Sequence, residues 1–246
     1  MIITNTPQKT LAKAVELKGI GLHSGKAIDL VLKPAAADCG FVFVRTDLDP
    51  QVEIPALAQY VSKTDRGTTL SVEGVDVQTT EHVLAALVGC GINNCRIELN
   101  GAEVPILDGS SKPFVEAIQT AGIQDKEAFQ EVFVVQENIH ITDEASGSEI
   151  LIVPAESTSL TVLIDFETKV LGTQNAVLHK MEDFPSEIAS SRTFSFLHEL
   201  ETLLEQNLIK GGDLNNAIVY VNKTLDKETM DRLKKAFGKK EIAVKK

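Results

Sequence analysis

A chain of 246 residues, 43% of them apolar and with a mean hydropathy near zero, is long enough for two ordinary domains and a sizeable core. Lys and Arg number 24 against 35 Asp and Glu, a net charge of −11 that argues against a nucleic-acid partner. The sign reverses at the end, where 225–246 hold eight basic and four acidic residues and leave −15 for the rest.

The N-terminal MIITNTPQKTLAKAV lacks the apolar core of a secretory signal, and no run approaches 18 apolar residues. A cytoplasmic protein without a membrane-spanning segment is expected. GIGLHSG (19–25) reads as a glycine-flanked turn around His23. AIDLVLKP (27–34) alternates around Ile28, Leu30 and Leu32, and GFVFVRT (40–46) is rich in β-formers, so both are predicted strands. TLSVEGVDVQT (69–79) predicts two short strands about a turn at Gly74, and TTEHVLAALVGCG (79–91) a helix with a threonine cap and a glycine stop. Within CGINNC, Cys90 and Cys95 would need two further ligands to hold zinc, and the odd count of three cysteines suits a reducing compartment, so they are read as buried thiols. CRIELNG is a strand, and EVPILDGSSKPFVEAIQTAG (103–122) a polar loop feeding a second capped helix with Pro113 near its first turn.

A second series of strands is predicted at EVFVV (131–135), NIHIT, EILIVPA and SLTVLIDF. ASSRTFSFLHELETLLEQNLIKGG (189–212) has Leu197, Leu200, Leu204 and Leu208 at helical spacing. LNNAIVYVN follows as a strand, and 224–240 as a surface helix whose stripe is Met230, Leu233 and Phe237.

GINNCRIELN (91–100) aligns without gaps on DLNNAIVYVN (213–222), with both Asn-Asn pairs and the final Asn in register. We read an internal duplication, giving an α+β fold of two similar layered domains, 1–126 and 127–246. The first half closes with helix 113–121, whereas the second continues into a charged helix, so the second domain is expected to be C-terminally truncated.

Glu81-His82 falls in the first turn of a helix, whose dipole favours a carboxylate and a neutral imidazole. The pair suits local hydrogen bonding or a neutral His able to lend a lone pair to a metal. The loop 105–114 suits ligand contact or a lead into the helix, and Ser191-Arg192-Thr193-Phe194 a cap with an anchoring aromatic. His179 and Asp183 in HKMED have the spacing of paired helical metal ligands, but Phe184-Pro185 interrupts a helix there.

In order, GIGLHSG, FVRTDL, TTEHVLAALVGCGINN, EVPILDGSSKPFV, SSRTFSF and KGGDLNNAIV resemble the UDP-3-O-acyl-N-acetylglucosamine deacetylase family, the zinc enzymes of the first committed step of lipid A synthesis. The resemblance implies two similar α+β domains with an active site between them, and a nucleotide-sugar lipid precursor as substrate. His82 would be a zinc ligand and Glu81 the base that deprotonates zinc-bound water for attack on the acetamide carbonyl. The Thr193 hydroxyl would help stabilise the oxyanion, Phe194 would pack near the substrate, and Phe196 with helix 197–208 would receive the 3-O-acyl chain. Acetate and the free 2-amine would be the products.

The family's HKxxDxxGDL pattern, the source of two more zinc ligands, is not found downstream of AIVYVN, and HKMED lies upstream of SRTF without the GDL continuation. The 246 residues alone are therefore expected to be inactive and to hold zinc weakly. A C-terminal dehydratase fusion, known in some members of the family, stays open. The alternative is a short non-catalytic homologue that binds a nucleotide sugar or an acyl chain.

Overall fold

A computed structural model describes residues 2–200, 210–222 and 225–242. It is a mixed α+β structure, mostly strands with several short helices. The first half contains β1 (Ile2–Leu11), β2 (Val15–Ile20), β3 (Ala27–Pro34), β4 (Phe41–Arg45) and β5 (Val52–Pro55). After a 3-10 turn at Ala58–Tyr60 come β6 (Val61–Lys63), β7 (Thr69–Val72), β8 (Val75–Val77), α1 (Glu81–Gly89), β9 (Cys95–Leu99) and α2 (Lys112–Ala121).

Five strands form a sheet in the order β2-β3-β9-β4-β5. Its centre, β9, runs antiparallel to β3 and parallel to β4. The pleat explains its composition: Cys95, Ile97 and Leu99 are buried, while Arg96 and Glu98 face the other way and pair with each other. Leu30, Leu32 and Phe43 join the buried face, and Val83, Ala86 and Leu87 of α1 with Phe114 and Ile118 of α2 cover it. Each large side chain so buried contributes roughly 1.5–3 kcal/mol.

Both helices stop where the sequence predicts. The Gly91 amide donates to Val88 O and the Ile92 amide to Leu87 O, a glycine-terminated end with Gly91 at φ 72°. The start of α1 differs from expectation: the Thr80 hydroxyl makes no cap and donates instead to Thr68 O at 3.2 Å. For α2, the Ser110 hydroxyl accepts from the Lys112 amide at 3.2 Å. The β7–β8 hairpin turns at Glu73 and Gly74, both with positive φ, as two-residue hairpins require.

The second half contains β10 (Ile123–Val132), β11 (Ile139–Asp143), β12 (Ser148–Ile152), β13 (Leu160–Asp165), β14 (Thr173–Leu178), α3 (Phe184–Glu187), β15 (Phe194–Phe196), β16 (Ile218–Tyr220) and α4 (Lys227–Ala236). The strand expected at 131–135 lies earlier, at β10, because antiparallel pairing with β1 from Leu11↔Ile123 to Ile2↔Val132 supplies its hydrogen bonds. Residue 126 falls inside this strand. β11–β12 and β13–β14 are separate antiparallel hairpins.

The helix expected over 189–212 is interrupted. Residues 194–196 form β15, parallel to β16, and helix begins only at 197. Leu197 and Leu200 are buried, whereas Leu204 and Leu208 lie outside the described residues. Leu233 of α4 is buried with this pair, and Phe237 packs alongside, so the apolar stripe of the last helix covers a small second cluster. HKMED does not present a helical pair: His179 precedes a 3-10 turn at Met181–Asp183, and Pro185 sits in the first turn of α3. There the missing amide of proline costs nothing, so it starts a helix instead of breaking one. Phe184 packs on α1 so closely that a methyl group at Gly89 would lie 2.1 Å from its ring.

Candidate active site

Glu81 and His82 open α1, where the helix dipole and free amides collect. The Glu81 Oε2 accepts from the Thr68 amide at 2.9 Å, which ties the carboxylate to the segment before β7. Burial pushes the His82 imidazole below its usual value, against the opposing pull of the Glu81 and Asp108 carboxylates. The shift favours the neutral ring, whose lone pair can take a proton or meet a Lewis acid.

Asp108 belongs to the polar loop after β9. Its Oδ1 accepts from the Ser110 amide at 3.0 Å and the Ser110 hydroxyl at 2.8 Å, which fixes the carboxylate on a tight turn. The next residue, Gly109, has φ 83°, and a methyl group there would lie 1.9 Å from Asn216 O. Only glycine allows this approach.

The 191–194 segment docks on the same loop. The Thr193 amide donates to Gly109 O at 2.7 Å, and Thr193 O accepts from the Ile218 amide at 3.0 Å. This segment is therefore a bridge between the Asp108 loop and β16, not the helix cap that its composition suggests. The Arg192 guanidinium donates to Asp108 O at 2.7 Å and to Asn215 O.

A cavity of about 200 Å³ opens beside Thr193, lined among others by Leu22, His23, Phe194, Leu200 and Phe237. Phe194 is partly exposed, with its ring edge-on to Phe166 and Tyr220 at 5.4 and 5.5 Å. Phe196 is buried, and its ring stacks on His198 at 5.8 Å. A second groove of about 490 Å³ adjoins His23 and Thr79 and carries Lys63, Arg66 and Lys210.

The structure docks Thr193 on the Gly109 turn and brings the Asp108 carboxylate within electrostatic reach of His82, while the Glu81 carboxylate is held at the Thr68 amide; Phe194 lines the cavity, and Phe196 packs edge-on to it at 5.7 Å. Asp108 and Arg192 were not singled out for these contacts in the sequence, although the DGSS turn and the SSRTFSF motif contain them. Among the described residues no group of three His, Cys, Asp or Glu could hold a metal ion. A single imidazole does not fit a catalytic zinc site, which usually has three protein ligands. Cys95 is buried and Cys90 half-buried, and none of the three cysteines forms a disulfide. No helix among the described residues is long and apolar enough to cross a membrane.

Residues 8–237 match the family model described as UDP-3-O-acyl N-acetylglycosamine deacetylase (LpxC). The chain is 42% identical over 231 residues to the bifunctional enzyme LpxC/FabZ of Bacteroides thetaiotaomicron, covering 94% of this chain and 50% of the relative. It is 46% identical over 213 residues to the UDP-3-O-acyl-N-acetylglucosamine deacetylase of Myxococcus xanthus, covering 86% and 67%. For the deacetylase of Hahella chejuensis the identity is 43% over 215 residues, covering 86% and 70%. The chain spans about half the length of the bifunctional relatives it matches.

Proposed function

The chain belongs to the UDP-3-O-acyl N-acetylglycosamine deacetylase family, and from that premise we propose that it serves hydrolysis of the N-acetyl group of a UDP-3-O-acyl-N-acetylglucosamine in lipid A synthesis. The observation that carries this reading is the Thr193 amide bonded to Gly109 O, which docks the 191–194 segment on the turn whose Asp108 carboxylate acts on His82.

In this reading Glu81 takes a proton from the attacking water and delivers one to the departing amine. Its bond from the Thr68 amide orients the carboxylate for that exchange. Thr193 donates its hydroxyl to the oxyanion of the tetrahedral intermediate. Phe194 faces the substrate, and the part of the cavity lined by Leu22, Leu200, Val219 and Phe237 receives acyl carbons. Zinc is the family's cofactor, and His82 is its candidate donor here. A cytoplasmic location belongs to the same proposal; some relatives are named bifunctional enzyme LpxC/FabZ.

The internal duplication is also proposed, as two α+β units meeting near residue 126. It is supported by the strand after each Asn-Asn pair, since β9 runs parallel to β4 and β16 parallel to β15. Asn94 and Asn216 are both buried and both accept a backbone amide, from Gly40 and Asp213 respectively.

Acetate release from UDP-3-O-acyl-N-acetylglucosamine by a protein carrying these residues tests the function. Glu81→Ala should lower kcat by about 10²–10⁴, the size of a general-base contribution. Near-normal turnover in that variant would remove Glu81 from the role.

A further inference from the structure

Glu103 is 1% exposed, and among the described residues it forms no ion pair. Its carboxylate instead accepts three hydrogen bonds. The His23 amide donates to Oε1 at 2.8 Å, the Ser24 amide to Oε2 at 2.9 Å, and the Thr79 hydroxyl to Oε1 at 3.4 Å. A carboxylate withdrawn from water persists where such donors replace its hydration.

These donors come from two separate parts of the cleft. His23 and Ser24 sit on the turn between β2 and β3, and a methyl group at Gly21 would lie 2.2 Å from Glu103 Oε2. Thr79 is two residues before Glu81 and holds φ 59°, an unfavourable conformation for a β-branched residue. The Glu103 backbone is itself fixed, because the Val104 amide donates to Gln78 O at 3.0 Å and the Gln78 amide to Ala102 O at 2.9 Å. From the other side, the Gly211 amide donates to Leu22 O at 3.0 Å.

We propose that Glu103 is the positioning residue of this cleft, its buried carboxylate locking the 21–25 turn to Thr79 and so to the helix start that carries Glu81 and His82. Leu22 and His23 thereby keep their places in the cavity wall beside Thr193. The catalytic meaning of this lock rests on the deacetylase reading; the lock itself does not.

Glu103→Gln in the 246-residue chain tests it, because a carboxamide keeps the shape but turns an NH₂ toward a donor. Amide exchange at His23 and Ser24 should quicken 10- to 100-fold, the scale of a lost hydrogen bond to a charged group. Amides of Leu30 and Leu32 should change less than twofold, and the His82 ring resonances should move. Unchanged exchange at His23 and Ser24, an unmoved His82, or an even loss of protection across β3 and α1 would each overturn the proposal. Should the variant not fold, the unsubstituted chain still decides. Its His23 and Ser24 amides must exchange at least tenfold more slowly than that of Lys26, which donates to the Ser24 hydroxyl at 3.3 Å; equal rates would overturn it. A failed deacetylation assay with the exchange result intact counts only against the catalytic reading.

Discussion

Arg192 donates through Nε to the carbonyl oxygen of Asp108 at 2.7 Å, across 84 positions of sequence. The same guanidinium reaches Asn215 O, so one side chain fastens the Asp108 loop to the turn before β16. Arg192→Ala should cost about 2 kcal/mol, the scale of charge-assisted hydrogen bonds lost. Arg192→Lys should recover less than half of that, since an ammonium lacks the planar fork. Urea unfolding of the three proteins measures both numbers, and equal midpoints would show that the contact does not hold the two segments together.

Gly109 provides a sharper comparison. A methyl group there would lie 1.9 Å from Asn216 O at a backbone φ of 83°, while at Gly147, φ 69°, it meets nothing within 4 Å. Gly147→Ala carries only the left-handed backbone cost, about 1–2 kcal/mol. Gly109→Ala adds a clash between backbones, and its total should exceed about 3 kcal/mol. Thermal unfolding of the two variants should rank them in that order.

The thiols should separate by burial. Cys39 is exposed, whereas burial pushes the Cys90 thiol up and the Cys95 thiol to about 12. The thiolate is the reactive form. At pH 8 a disulfide reagent should label Cys39 first, Cys90 slowly and Cys95 only after denaturation. Rapid labelling of Cys95 in the folded chain would contradict its place on the inward face of β9.

Acid stability should depend on Asp47. Arg45 grips it with Nε to Oδ1 at 2.8 Å and Nη2 to Oδ2 at 2.7 Å, and holds its carboxyl below the ordinary value. A carboxylate lowered on folding stabilises the native state above its unfolded value and loses that contribution as pH falls through the folded one. Asp47→Asn should therefore destabilise the chain at pH 6 by about 1–3 kcal/mol, because it leaves the buried Arg45 without its carboxylate. The gap from the parent should narrow as pH drops below about 3.8. A gap independent of pH would mean that the pair contributes only through packing.

Much of this was legible in the chain itself. Alternation at Ile28, Leu30 and Leu32 and the 83–86–87 spacing of α1 report a local period, and Gly91 and Gly122 report a local backbone need; such features depend on neighbours in sequence alone. The motif set likewise marked Glu81, His82 and Thr193. What the sequence could not supply was anything decided by a distant partner. β10 is too polar to announce itself and exists where β1 offers its hydrogen bonds. Residues 194–196 have helical neighbours but are strand because β16 lies alongside. Glu103 and Arg192 look like ordinary surface charges, and their importance comes from amides and carbonyls brought to them over long separations. Length and periodicity thus pointed to the class of fold, and the ordered motifs, by resemblance, to the family. Tertiary pairing alone decided which polar atoms meet, because a buried hydrogen bond is specified by position in space and leaves no period in the sequence.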